Sequence, residues 1–148
     1  MSEHKATLVW ERTTPDFNYK TYDRTHKIHF SGGSDIFVAA APEFLGNPEI
    51  TNPEELMVAA LSSCHMLTFL AIASMKNLVI DRYEDNAVGV LGKNSAGKMA
   101  LTTVTLRPIV VFSGANQPDP ATVEQMHHKA HENCFIANSV TTDVRVEI

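Results

Sequence analysis

Apolar and polar residues alternate through the first part of the chain, at Leu8 and Trp10, at Ile28 and Phe30, and again at Ile36 and Val38. A period of two predicts strands, and Gly32-Gly33-Ser34 between the last two pairs predicts a hairpin turn. Pro42, Gly46, Pro48 and Pro53 then break regular structure, which predicts a loop over about 42–51. The pattern changes at residue 56. From Leu56 to Met75, 20 residues, no side chain carries a full charge. Asn52 can cap a helix there, Pro53 suits its first turn, Glu54 and Glu55 sit where the helix dipole favours negative charge, and Asn77 provides a left-handed stop. The segment predicts one long helix. It reaches the length of a membrane span, but Ser62, Ser63, His65, Thr68 and Ser74 interrupt it and its alanines dilute the hydrophobicity. A core helix covered on nearly all sides is the expectation.

Residues 83–91 read as a strand, 92–97 as a loose turn, and 99–106 as a second strand with apolar residues at 99, 101, 104 and 106, one slip of phase included. Together they predict a second hairpin, which 109–112 extends. Asp119-Pro120 opens a second helix, where the spacing of Val123, Met126, Ala130 and Cys134 turns those residues inward. Val144, Val146 and Ile148 alternate in a final strand. The order of strands, long helix, strands, helix and strand predicts an α+β fold, a single domain over 1–148 with antiparallel sheet packed on a central apolar helix.

Charge narrows the function. With 12 Lys and Arg against 17 Asp and Glu, a net charge of −5 and no basic run, the sequence points away from nucleic acid or an anionic membrane as partner. A small neutral or apolar ligand fits better. MSEHKATLVW lacks the apolar region of a signal peptide, so a cytoplasmic location is expected. The two cysteines, Cys64 and Cys134, are 70 residues apart, too few for a disulfide framework and too far apart for a CxxC site. They are inert core residues, metal ligands or a redox pair.

Cys64 lies in VAALSSCHML, where Ser62, Ser63 and His65 form a polar patch inside an otherwise apolar helix, and buried hydroxyls require partners. Cys134 lies in a similar context, AHENCFIANS. TNPEELMVAALSSCHM, residues 51–66, resembles the hallmark of the osmotically inducible protein C and organic hydroperoxide resistance (OsmC/Ohr) family: Asn-Pro-Glu-x-Leu, then a small-residue helix ending in Cys, with the Glu ten residues before it, as Glu54 is here. Residues 130–139 resemble the segment around that family's second cysteine. The resemblance implies a cysteine-based peroxidase that reduces organic hydroperoxides without metal, haem or other cofactor. Cys64 would attack the peroxide and Cys134 resolve the resulting sulfenic acid. It further implies a cation from the N-terminal sheet, assigned to Arg24 in YDRTHKIHF with Arg12 as the alternative, held by Glu54. Guanidinium offers a fixed fork of donors to both groups, and only a thiolate is nucleophilic. On one straight helix, Glu54 and Cys64 would lie about 15 Å apart along the axis. Either the helix breaks between them or groups from two chains meet. The second option, with the apolar helix, favours an intertwined homodimer with sites at the subunit interface. The resemblance also suggests a dithiol reductant such as a lipoyl group, while the particular hydroperoxide stays open.

Two other classes compete. Cys64, His127, His131 and Cys134 could form a zinc-binding module, with His and Cys at helical spacing as ligands. Alternatively an apolar groove, lined by Met57, Met66, Met75 and Met99, could bind a lipid-like ligand without catalysis. His65 points about 100° from Cys64 on a helix and reads as a hydrogen-bonded core residue, and His131 as part of a dimer seam. The family pattern often has an apolar residue where this chain has His65.

Overall fold

In the computed structural model, which describes residues 1–148, the N-terminal alternation becomes a three-stranded antiparallel sheet. Its strands are β1 (Ala6–Val9), β2 (His26–Phe30) and β3 (Asp35–Val38), in the order β1-β2-β3. The β2–β3 turn closes through the amide of Gly33 donating to the Phe30 carbonyl, with Gly33 at φ 92°, a conformation glycine adopts without a Cβ penalty. The predicted loop contains a 3-10 turn at Pro42–Phe44 and returns to the sheet edge, where Ala39 N–H donates to the Thr51 carbonyl. At Gly46 the chain passes so close to the Ala40 carbonyl that a Cβ would overlap it. This sheet and loop form one compact unit, Met1–Leu56, and Met57–Ile148 form a second.

Helix α1 spans Pro53–Met75 without interruption. Asn52 caps it as expected, its side-chain oxygen accepting from the Glu55 amide at 2.9 Å. Asn77 supplies the left-handed residue after it, at φ 56°. The expectation that α1 is covered on nearly all sides is not met. Within the chain only the stripe Leu61, His65, Phe69, Ile72 and Ala73 is buried. Leu67, at 60% exposed, shows how bare the opposite face is. α1 is also long and apolar enough to cross a membrane by length and composition alone. Its buried stripe is at helical spacing and packs on sheet residues, which is how a core helix behaves.

The second unit holds two sheets. β4 (Val79–Asp85) pairs antiparallel with β7 (Pro108–Ser113), while β5 (Val88–Lys93), β6 (Met99–Leu106) and β8 (Asp143–Val146) form the order β5-β6-β8. The β5–β6 hairpin forms, but the single strand expected over 83–91 is split at 86–87: its first residues belong to β4 and pair with β7, and only the part from Val88 pairs with β6. The slip of phase between Leu101 and Val104 is a bulge: Val90 faces Thr103 but Leu91 faces Leu101. Two other expectations change. Residues 109–112 do not extend this hairpin but return to β4, and β8 joins β6 in parallel rather than antiparallel register. The parallel β6–β8 pairing depends on a crossover that contains helix α2 (Pro120–Glu132), and the β4–β7 pairing brackets the β5–β6 hairpin; local periodicity encodes neither. Asp119 caps α2 by accepting from the Thr122 amide at 2.7 Å. Phe69, Ile72 and Ala73 of α1 pack with Leu78, Met126 and Ala130 in one cluster; Leu61 packs with Val104 and Leu106 in another.

Candidate functional site

Cys64 and Cys134 meet. Cys64 lies on α1 four residues after Ala60 and is half-buried, while Cys134 follows the end of α2 and is buried, rather than sitting on the helix as the spacing implied. The Cys64 side chain lies close enough to the Cys134 thiol to act on its ionisation. Both cysteines are reduced. Burial pushes the Cys134 thiol up to about 11, the Cys64 contact adds to the rise, and the Ala137 amide, donating to its Sγ at 3.4 Å, works against it. Cys134 is therefore a protonated thiol at neutral pH. A groove of about 600 Å³ opens on Cys64, lined further by Leu67, Ala71, Phe135 and Ile136. Its walls are apolar, with Ser63, Thr68 and Asn133 as polar points.

The polar patch around Cys64 is explained residue by residue. Ser62 Oγ donates to the Asp85 carboxylate, Thr68 Oγ1 donates to the Cys64 carbonyl at 2.9 Å, and Ser63 is exposed. His65 turns away from the cysteines into the core and shares a 3.0 Å hydrogen bond with His127. Both rings are held neutral, with pKa lowered to about 4, first by burial. His131 adds to this at His65, and Asp85 opposes it at both. The sequence reading placed His65 correctly but missed its partner. His127 follows Val123 by four and precedes Ala130 by three, on the inward face of α2, so the signal was in the spacing.

Arg24 and Glu54 belong to the first unit. The Arg24 guanidinium donates to the Tyr22 and Tyr19 carbonyls at 3.0 and 2.6 Å, and lies 3.9 Å over the Tyr22 ring. These two bonds go to carbonyls, and Arg24 makes none to Glu54. Arg12 likewise donates to backbone carbonyls, of Thr14 and Pro15. Around Arg24 a pocket of about 560 Å³ is walled by Trp10, Phe17, Tyr19, Tyr22 and Phe44.

No group of three or more His, Cys, Asp or Glu side chains is arranged to hold a metal ion, so the set Cys64, His127, His131 and Cys134 does not assemble. His127 spends one ring nitrogen on His65 instead. The methionine-lined groove does not form either: Met75 and Met99 are exposed, and none of the four lines the groove at Cys64.

A long α1 carrying a cysteine that meets a second cysteine beyond α2, over antiparallel sheet, defines a class of proteins. The family model for OsmC-like proteins matches residues 46–148, and the chain belongs to that family. The OsmC-like protein of unknown function from Vibrio cholerae is 52% identical, covers 100% of this chain and 99% of its own, and superposes with a TM-score of 0.96. Organic hydroperoxide resistance protein OhrB of Bacillus subtilis shares the fold at 22% identity, with 99% and 97% of the two chains covered and a TM-score of 0.70. Uncharacterized protein YmaD of Bacillus subtilis is 24% identical over 119 residues, 80% of this chain and 79% of that one.

Proposed function

We propose that the protein is a cytoplasmic two-cysteine peroxidase that reduces organic hydroperoxides to alcohols at the expense of a dithiol. The observation that carries this reading is the meeting of the Cys64 and Cys134 side chains beside an apolar groove. The asymmetry of the pair supports the division of roles. A thiol pushed up to about 11 is a poor first nucleophile, so Cys64 reacts with peroxide and Cys134 waits. The Cys64 thiolate attacks the distal peroxide oxygen, the O–O bond breaks, and the alkoxide leaves and takes up a proton, giving an alcohol and a Cys64 sulfenic acid. Cys134 then attacks the Cys64 sulfur, the S–O bond breaks, and hydroxide leaves with the thiol proton as water, giving a disulfide that the dithiol reduces. A lipoyl group has the required chemistry.

The matching Asn-Pro-Glu motif supports Arg24 as the cation that favours the Cys64 thiolate and Glu54 as its carboxylate partner, roles that require the guanidinium to leave the Tyr19 and Tyr22 carbonyls it bonds in the single chain. The bare apolar face of α1, with Leu67 exposed on it and Phe135, beyond α2, exposed on the same groove, supports a homodimer. Intact mass before and after one equivalent of an organic hydroperoxide, without reductant, tests the reading. Loss of two hydrogens with a Cys64–Cys134 link in the digest is the expected result. An unchanged mass with both thiols free overturns it and leaves the groove as a binding site for an apolar ligand.

A further inference from the structure

A polar contact ties together the two segments that carry the cysteines, and the peroxidase reading makes no use of it. His65 follows Cys64 on α1, and His127 lies on α2 seven residues before Cys134. His65 Nε2 and His127 Nδ1 are 3.0 Å apart, and the two rings are parallel to within 4°. Each residue is only 1% exposed. Phe69, one turn along α1 from His65, stacks on the His127 ring at 4.1 Å. The remaining ring nitrogens, His65 Nδ1 and His127 Nε2, are buried without partners, so no second side-chain bond competes with the shared one.

Such a bond constrains helices differently from apolar contact. Phe69 and Met126 can slide against neighbours at small cost, whereas a hydrogen bond weakens steeply once its angle opens. A buried imidazole that loses its partner also loses the compensation for its desolvation. Turning α1 by one residue, about 100°, would break the bond and carry Cys64 away from Cys134. The contact therefore adds a directional restraint to the rotation that the packed stripe gives the helix presenting Cys64.

We propose that His65 and His127 are positioning residues for the thiol pair: their hydrogen bond holds α1 in the register that keeps Cys64 against Cys134, and so sets how fast the two sulfurs join. This rests on the reading of Cys64 and Cys134 as a redox pair. The histidines act through the helices and exchange no proton with either sulfur.

The test oxidises the reduced full-length protein with diamide, a thiol-specific azo compound, in place of peroxide. One thiolate adds across the N=N bond. The second attacks the first sulfur, the S–N bond breaks, and the azo compound leaves as its hydrazine, carrying the two electrons and both thiol protons. The rate of Cys64–Cys134 formation is read by quenched mass spectrometry, beside the rate of Cys64 alkylation by iodoacetamide. His65→Leu and His127→Leu should slow disulfide formation about tenfold, the scale of a small misplacement of reacting groups, with alkylation unchanged. His127→Asn, whose amide occupies the place of Nδ1, should restore the wild-type rate. Wild-type rates in the leucine variants, or an asparagine variant as slow as they are, would overturn the proposal. If a leucine variant does not fold, His127→Gln replaces it: its amide lies one methylene too far, so it should be slow, and a wild-type rate overturns the proposal equally. A wild-type protein that joins its cysteines with diamide but not with hydroperoxide separates failure of the peroxidase reading from failure of this one.

Discussion

The Cys64 side chain reaches the Cys134 thiol although 70 residues separate them in the chain. Their unequal environments, one half-buried on a groove and one buried with its pKa pushed up, make the two thiols chemically distinct. Cys64→Ser should abolish hydroperoxide turnover. Cys134→Ser should keep the first step, so that a dimedone adduct forms on Cys64, but yield no intramolecular disulfide. Adduct on Cys134 in the Cys64→Ser protein would reverse the assignment.

Arg24→Ala should slow alkylation of Cys64 at neutral pH by about tenfold, because the thiol reacts only as thiolate and the proposed cation favours that form. The measurement is the rate of iodoacetamide alkylation from pH 5 to 9. An unchanged profile would pass the role to Arg12 or to another cation.

The buried His65–His127 pair makes stability depend on pH. Both rings have pKa values lowered from 6.5 to about 4, first by burial, with His131 adding at His65 and Asp85 opposing at both. The unfolded chain therefore binds protons between pH 6.5 and 4 that the folded chain refuses. Their contribution is fully present above pH 6.5 and is lost as pH falls toward 4, at about 1.4 kcal/mol per unit for each fully affected group. Urea unfolding of the reduced protein at pH 7.5 and pH 5 should show a drop of about 2 kcal/mol or more, reduced in His127→Asn. Equal loss in that variant would place the pH dependence elsewhere.

Leu67 is 60% exposed on the bare face of α1. If that face is a homodimer interface, Leu67→Lys should shift the protein from dimer to monomer by light scattering. Its effect on unfolding of an isolated chain should stay within about 0.5 kcal/mol, as for an exposed site. A wild-type protein that is already monomeric would remove the dimer from the proposal.

Local chemistry was legible where one segment decides its own structure. Asn52 and Asp119 bond to amides three residues on, Asn77 ends α1 in the left-handed region, and the slip between Leu101 and Val104 marks a bulge. Capping and strand alternation depend on neighbours within a few residues, so a short stretch of sequence contains all the relevant partners. Even the inward position of His127 follows from its spacing along α2.

Tertiary structure alone decided which distant segments meet. β7 returns to β4, β8 joins β6 in parallel, and α1 is buried along one stripe instead of all round. Arg24 bonds to the Tyr22 and Tyr19 carbonyls, a choice its sequence position does not disclose. The approach of Cys64 to Cys134, and the His65–His127 bond between the helices that carry them, depend on crossovers tens of residues long. Periodicity within an element determines which face is apolar; only the packed chain determines what that face is packed against.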